Sequence, residues 1–151
     1  MTWKPNATVA TIVEKNGKFL VVEEYSENQL VINQPAGHIE HGEGVLDAAI
    51  RETLEETGYR VEPQAFIGFY TYTAPHNQTT YYRFCFSASI VEQLENPEID
   101  PDIENVVWYS LEELKAQTHR HRSPLLMRCL EDYLDGRRYP LELIYEHPVE
   151  S

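Results

Sequence analysis

The sequence predicts an α+β fold, an αβα sandwich around a mixed β-sheet. Three observations predict it. β-rich runs dominate the first 110 residues, a helix-length amphipathic segment interrupts them after residue 44, and a second helix with an apolar face follows the last strand. At 151 residues the chain has the size of one domain, 1–151, large enough to bury a core without staples.

Thr8 to Val13 and Phe19 to Glu24 read as the first strands. Lys15-Asn16-Gly17-Lys18 lies between them, and Asn-Gly is a strong hairpin signal. Leu30 to Asn33 is a short strand ending before Pro35. A helix spans Val45 to Thr57, with Gly58 in the left-handed position past its end. Phe66 to Thr73 and Thr80 to Val91, aromatic and β-branched, read as strands joined by a turn at Pro75-His76-Asn77. Leu94 to Asp102 is an acidic loop, and Val106 to Tyr109 a short strand. Ser110-Leu-Glu-Glu113 is a capping box opening a helix to about Gln117. Ser123-Pro124 opens the last helix, serine at the cap and proline in the first turn, with Leu125, Leu126, Cys129, Leu130, Tyr133 and Leu134 on its apolar side and Gly136 at its end.

Composition excludes several function classes. A net charge of −13 repels nucleic-acid backbones. No apolar run approaches the roughly 20 residues of a membrane span, and Met1 to Thr8 lacks a secretory core, so the expected compartment is the cytoplasm. Cys85 and Cys129 belong to no metal-binding spacing and read as reduced core thiols. An acidic protein can hold a phosphorylated ligand when divalent cations stand between carboxylates and phosphates.

The segment Gly37 to Tyr59 invites that chemistry. On a helical wheel Leu46, Ala49, Ile50, Thr53 and Leu54 share the core stripe, and Arg51, Glu52, Glu55 and Glu56 lie opposite. Three carboxylates three and four residues apart repel one another, a fault that a hard cation would turn into a site. A solvated acidic face fits the same three residues. In front of the helix stand Gln34-Pro35-Ala36-Gly37 and the glycines flanking Glu43, where backbone can approach a ligand. A carbonyl such as that of Gly37 can point at a metal.

Gly37, Glu43, Arg51, Glu52, Glu55, Glu56 and Gly58, with Tyr59 after them, resemble the Nudix box at its full spacing. Agreement of seven fixed letters by chance is on the order of 10⁻⁸ to 10⁻⁹ per start site at background composition. Thr53 departs from the aliphatic residue usual there; its hydroxyl can bond back to the Ala49 carbonyl. The resemblance implies a Nudix-type αβα sandwich that hydrolyses phosphoanhydrides. It implies that Glu52, Glu55, Glu56 and the Gly37 carbonyl hold Mg²⁺ or Mn²⁺, that Glu52 also serves as general base, and that Glu43 and Arg51 form an ion pair aligning loop and helix. A further carboxylate from a distant loop is common in such proteins; Glu104 is the candidate here, with Asp102 in reserve.

Asn33 to His38, Tyr82-Arg83-Phe84, Arg122 to Leu125 and Arg138 to Glu142 look like the NudJ phosphatase type. That similarity implies nucleoside tri- and diphosphates, hydroxymethylpyrimidine pyrophosphate or thiamine pyrophosphate as substrates. The candidate substrate-binding residues are Gln34, His38, Arg83, Tyr82 and Arg122, where an arginine grips phosphate and a tyrosine among Tyr70, Tyr72, Tyr81 and Tyr82 stacks on a ring. His119 and His121, two apart in a loop, suggest a metal far less than the carboxylates do. A Nudix hydrolase of ADP-ribose or dinucleoside polyphosphates, and a non-catalytic metabolite-binding Nudix module, are the alternatives. The apolar tail from Tyr139 to Ile144 packs on its own core or on a second subunit, so monomer and homodimer both remain open.

Overall fold

In chain order the strands are β1 (Asn6–Ile12), β2 (Glu14–Lys15), β3 (Lys18–Ser26), β4 (Gln29–Asn33), β5 (Ala36–His38), β6 (Tyr59–Thr73), β7 (Thr80–Gln93) and β8 (Ile103–Ser110). The helices are α1 (Val45–Thr57), α2 (Leu111–Lys115) and α3 (Leu125–Leu134). These elements come from a computed structural model, which describes residues 2–149. Met1, Glu150 and Ser151, the ends of the expected 1–151 domain, lie outside the described residues.

One sheet has the order β5-β1-β7-β6 and is mixed, because β1 runs parallel to β7 and antiparallel to β5. In the other, β3 pairs antiparallel with β2, β4 and β8. The alternation of side chains along β1 sets the layers. Val9 turns to one face and packs with Phe86 against Ala48 and Ala49 of α1. Ala10 and Ile12 turn to the other, where Leu114 of α2 and Leu126, Cys129 and Leu130 of α3 close the core with Cys85. The result is the expected αβα sandwich. Cys85 and Cys129 are buried free thiols, as expected.

Local sequence explains most element ends. Asn16 and Gly17 both take positive φ, 54° and 76°, in the turn that pairs Lys15 with Lys18. Gly58 closes α1 at φ 77°, donating its N–H to Leu54 O. The capping box forms as read: Ser110 Oγ accepts from Glu113 N and Glu113 Oε1 from Ser110 N. Ser123 Oγ accepts from Leu125 N at 3.2 Å, and Pro124 is already helical.

Four expectations need correction. β6 starts at Tyr59, not Phe66; Pro63 interrupts the β pattern but is tolerated because β6 is an edge strand, with bulges on either side of Ala65–Phe66. β5 was not predicted, since Ala-Gly-His carries little β-propensity and forms only by pairing with β1. α2 ends at Lys115, and a 3₁₀ turn, Thr118–Arg120, follows. Finally, α1 is rotated by close to one residue step. Its buried residues are Ala48, Ala49, Thr53, Glu56 and Thr57, whereas Leu46, Ile50 and Leu54 are only half-buried. The consequence is chemical, because Glu56 turns inward.

Thr53 is fully buried and its hydroxyl donates to Ala49 O at 2.8 Å, as expected. It also meets Thr11 Oγ1 at 2.8 Å, so the hydroxyl pair from α1 and β1 satisfies itself inside the core. The tail packs on its own chain: Tyr139 exchanges backbone hydrogen bonds with Phe66, and Leu141 and Ile144 join the apolar cluster under α1.

Candidate active site

A cleft of about 950 Å³ opens between the β5–α1 junction, the β6–β7 hairpin tip and the loop before β8. Glu52 and Glu56 line it. Their positions follow from α1 and β5. Ala36 N donates to Glu56 Oε1 at 2.9 Å, and the Glu52 carboxylate lies directly against Gly37. A Cβ on Gly37 would stand 2.1 Å from Glu52 Cδ, so only glycine leaves this cradle.

Arg51 organises the neighbouring carboxylates. Its Nε and Nη2 grip Glu43 in a fork at 2.6 and 3.0 Å, its Nη1 reaches Glu52 and Glu55 at 3.0 Å each, and Nη2 also donates to His38 O. The expected Glu43–Arg51 pair is therefore present, and Glu40 joins it at 3.0 Å. The Arg51 hydrogen bonds hold Glu43 below the ordinary carboxylate range. Glu43 Oε1 also accepts from Glu40 N, which fixes the loop ahead of the helix.

The two inward glutamates are shifted the other way. Burial raises the Glu52 carboxyl; Arg51 opposes the rise, and Glu55 and Asp100 add to it. Glu56 is pushed up to about 9, chiefly by burial, with the charges of Glu24, Glu52 and Asp100 adding to the effect. A carboxylate is costly there unless a cation meets it. Among the described residues no three acidic, histidine or cysteine side chains already converge as a cation cage. Arg51 draws Glu52 and Glu55 together, and Glu55 is half-exposed. The residues nonetheless fit a hard divalent cation: the donors are all oxygens, Glu52 has its glycine cradle, and buried Glu56 has no ion-pair partner among the described residues.

The cleft also carries cations and rings. Arg83 is buried, and among the described residues its guanidinium bonds neutral groups: Gln34 Oε1 at 2.9 Å, Asn33 Oδ1 at 3.1 Å and Cys129 Sγ at 4.0 Å. Gln34 is buried and off the cleft; its amide also donates to Leu126 O, so it supports Arg83 rather than facing a ligand. Arg122 lines the cleft and bonds Glu24. His38 lines it too, exposed, with its ring 6.4 Å from that of Tyr81.

Tyr82 needs correction. Strand alternation sends it to the face opposite Arg83, where it packs on Trp3 and Phe69. The tyrosines of the β6–β7 hairpin that line the cleft are Tyr72 and Tyr81, register partners across it, and Tyr25 of β3 lines it as well. Tyr70 donates to Asp132 within the α3 core at 2.7 Å. The His119–His121 region stays outside the cleft, and His121 Nε2 is engaged with Leu114 O.

Glu104 and Asp102 both line the cleft, exposed. On β3 Glu23 and Glu24 are adjacent, yet on β8 their partners are Asn105 and Ile103, so Glu104 is the extra residue of a bulge. Bulges re-aim side chains in this way. Sequence reasoning missed Glu24 and Asp100, the two carboxylates that act on Glu56 from outside its helix. Asp100 is tied to α1 through its N–H, donated to Glu55 O at 2.8 Å. Nothing in its local sequence distinguishes it from its acidic neighbours.

Residues 3–129 match the NUDIX domain family. The phosphatase NudJ of Escherichia coli strain K12 is 42% identical over 142 residues, covering 94% of this chain and 92% of that protein. The phosphatase NudJ of Shigella flexneri matches to the same extent. A solved NUDIX hydrolase from Nitrosomonas europaea superposes with a TM-score of 0.93 at 43% identity, covering 95% of this chain and 98% of that one. A UDP-X diphosphatase, 16% identical with a TM-score of 0.72 over 92% of this chain and 67% of its own, shares the fold.

Proposed function

Because the chain belongs to the Nudix hydrolase family, enzymes that act on phosphorus-containing anhydrides, we propose that it is a Mg²⁺-dependent phosphatase of nucleoside tri- and diphosphates. Small pyrophosphorylated metabolites, such as hydroxymethylpyrimidine pyrophosphate and thiamine pyrophosphate, belong to the same proposed range. The similarity to relatives named phosphatase NudJ supports phosphate as the product.

The observation that carries this reading is what one cleft brings together. Inward carboxylates stand at the Gly37 cradle, and a buried arginine whose partners among the described residues are neutral lines the same cleft with Tyr72 and Tyr81. Glu52, Glu55 and Glu56, with the Gly37 carbonyl, would hold Mg²⁺, or Mn²⁺ in its place, and Glu104 is the added ligand from the β8 bulge. The bound cation would neutralise charge on the phosphate oxygens and orient the leaving group. Glu52 takes the proton of the attacking water, and burial beside Glu55 and Asp100 raises its affinity for protons. Arg51 keeps Glu52 aligned from its anchor on Glu43. Arg83 and Arg122 bind the phosphates not held by the cation. Tyr81 lies two residues from Arg83 on the same face of β7, so with Tyr72 it offers a stacking surface beside the phosphate-binding arginine. His38 flanks that surface.

The test is turnover of nucleoside di- and triphosphates, the two pyrophosphates, ADP-ribose and diadenosine polyphosphates with Mg²⁺, products read by ³¹P NMR. Orthophosphate from nucleotides, lost with EDTA and in Glu56→Gln, is the expected result. Turnover of ADP-ribose or dinucleotides alone would overturn the substrate class. No metal-dependent turnover of any compound would overturn the enzyme reading in favour of a binding module.

A further inference from the structure

The helix that carries the catalytic glutamates has no cap of its own. Gly44 is its N-cap residue, in extended conformation at φ −73°, and it has no side chain to accept the N–H groups of the first turn. The Val45 N–H instead donates to Glu146 Oε2 at 3.0 Å, across 101 residues of sequence. Gly44 is shaped to admit that carboxylate: a Cβ at this position would lie 2.5 Å from Glu146 Oε2. Its φ is one that any residue adopts, so the constraint on Gly44 is the close approach of Glu146 and not backbone strain.

The tail delivers Glu146 by anchors already described. Tyr139 is bridged to Phe66, Leu141 and Ile144 are packed under α1, and Glu146 follows two residues later. A carboxylate at a helix N-terminus is also favoured by the helix dipole. On the other side of the same junction, Glu43 directly precedes Gly44 and forks onto Arg51, which holds Glu52. Glu146 therefore pins the hinge between the two ends of the Glu43–Arg51 pair.

We propose that Glu146 is a positioning residue for the reaction, capping α1 from the C-terminal tail so that Glu43, Arg51 and Glu52 keep their register. It touches neither substrate nor cation. Its influence passes through Val45 and Gly44 to the ion pair, so its loss loosens the alignment of Glu52 more than the binding of substrate.

The experiment compares Glu146→Ala, Glu146→Gln, Gly44→Ala and the double variant Gly44→Ala/Glu146→Ala in the full chain, well below their melting temperatures. With whichever nucleotide the parent turns over, Glu146→Ala lowers kcat about threefold or more while KM stays within about twofold, as expected of a positioning defect. Glu146→Gln, whose amide oxygen still accepts from Val45 N–H, stays near the parent. Gly44→Ala expels Glu146 and reproduces Glu146→Ala, and the double variant is no worse than either single one. A readout independent of any substrate is the Arg51 Nε–H resonance in ¹H–¹⁵N spectra, which sharpens or broadens with its hold on Glu43; it changes in Glu146→Ala and not in Glu146→Gln. An unchanged Arg51 signal and kcat in Glu146→Ala, or effects of Gly44→Ala and Glu146→Ala that multiply in the double variant, would overturn the proposal. A melting temperature that falls with kcat and the Arg51 signal intact would reduce Glu146 to a stability cap and also overturn it.

Discussion

Glu56→Gln separates the cost of the buried carboxyl from its use. In the folded chain Glu56 keeps its proton up to about 9, against an ordinary 4.5. Between those values the folded protein holds a proton that the unfolded chain has released, so stability is full below about 4.5 and falls as pH rises towards 9. Each pH unit is worth about 1.4 kcal/mol, so the loss reached by pH 7 is on the order of 3 kcal/mol. Glutamine has the same shape, keeps an oxygen for the Ala36 N–H and does not titrate. In EDTA, Glu56→Gln is therefore expected to be the more stable protein at pH 7. For a chain of this size the gain in Tm is roughly 6–12 °C. Near pH 5 the difference should shrink to within a few degrees. Urea or thermal unfolding from pH 5 to 8.5 measures it directly. Added Mg²⁺ should raise the parent's Tm and leave the variant's nearly unmoved. Parallel pH profiles for the two proteins in EDTA would refute the reasoning, because the inward glutamate would then carry no ionisation cost.

Gly37→Ala puts a Cβ 2.1 Å from Glu52 Cδ, so kcat should fall about 10²-fold or more with the circular dichroism spectrum unchanged. Arg51→Lys keeps a charge but loses the planar fork that spans Glu43, Glu52 and Glu55; steady-state kinetics should show kcat down about tenfold at nearly constant KM. Thr53→Val strands the Thr11 hydroxyl in the core and should cost about 1–3 kcal/mol by urea unfolding. Thr11→Val/Thr53→Val should recover part of that loss, and strictly additive costs in the pair would contradict the hydroxyl coupling.

The parts of this molecule written in local chemistry could be read from the chain. The Asn16-Gly17 turn, the Ser110–Glu113 capping box, the Gly58 stop and the Thr53 back-bond all depend on neighbours within a few residues, and all appear as expected. What escaped depends on partners distant in sequence. β5 exists only because β1 lies beside it, and the rotation of α1 is set by the sheet it packs on. The helical wheel placed Leu46, Ile50 and Leu54 inward beside Ala49 and Thr53, whereas packing kept Ala49 and Thr53 and added the small Ala48, which lets the helix approach closely. The same rotation turned Glu56 inward, so its burial could not be inferred from the pattern alone. In the candidate site, the clustering of carboxylates on α1 was legible from spacing, and the Glu43–Arg51 pair from the resemblance to the Nudix box. The ring-bearing face was not: alternation along β7 decides between Tyr81 and Tyr82, and the phase of a strand is known only once its neighbours are.

Glu104 gives the acidic loop a fixed phase. Because it is a supernumerary residue between Ile103 and Asn105, β8 above and below it is offset by one position against β3. Removing that one residue would leave Asn105 opposite Glu23 and Ile103 opposite Glu24 in a regular ladder, taking a carboxylate out of the cleft together with the bend by which the bulge leads the chain back to Asp100 and Asp102. Surface loops usually absorb insertions and deletions. This one behaves as a counted interval: from Asp100, tied to α1, to Trp108, locked in the core, its length is as much a part of the site as any side chain.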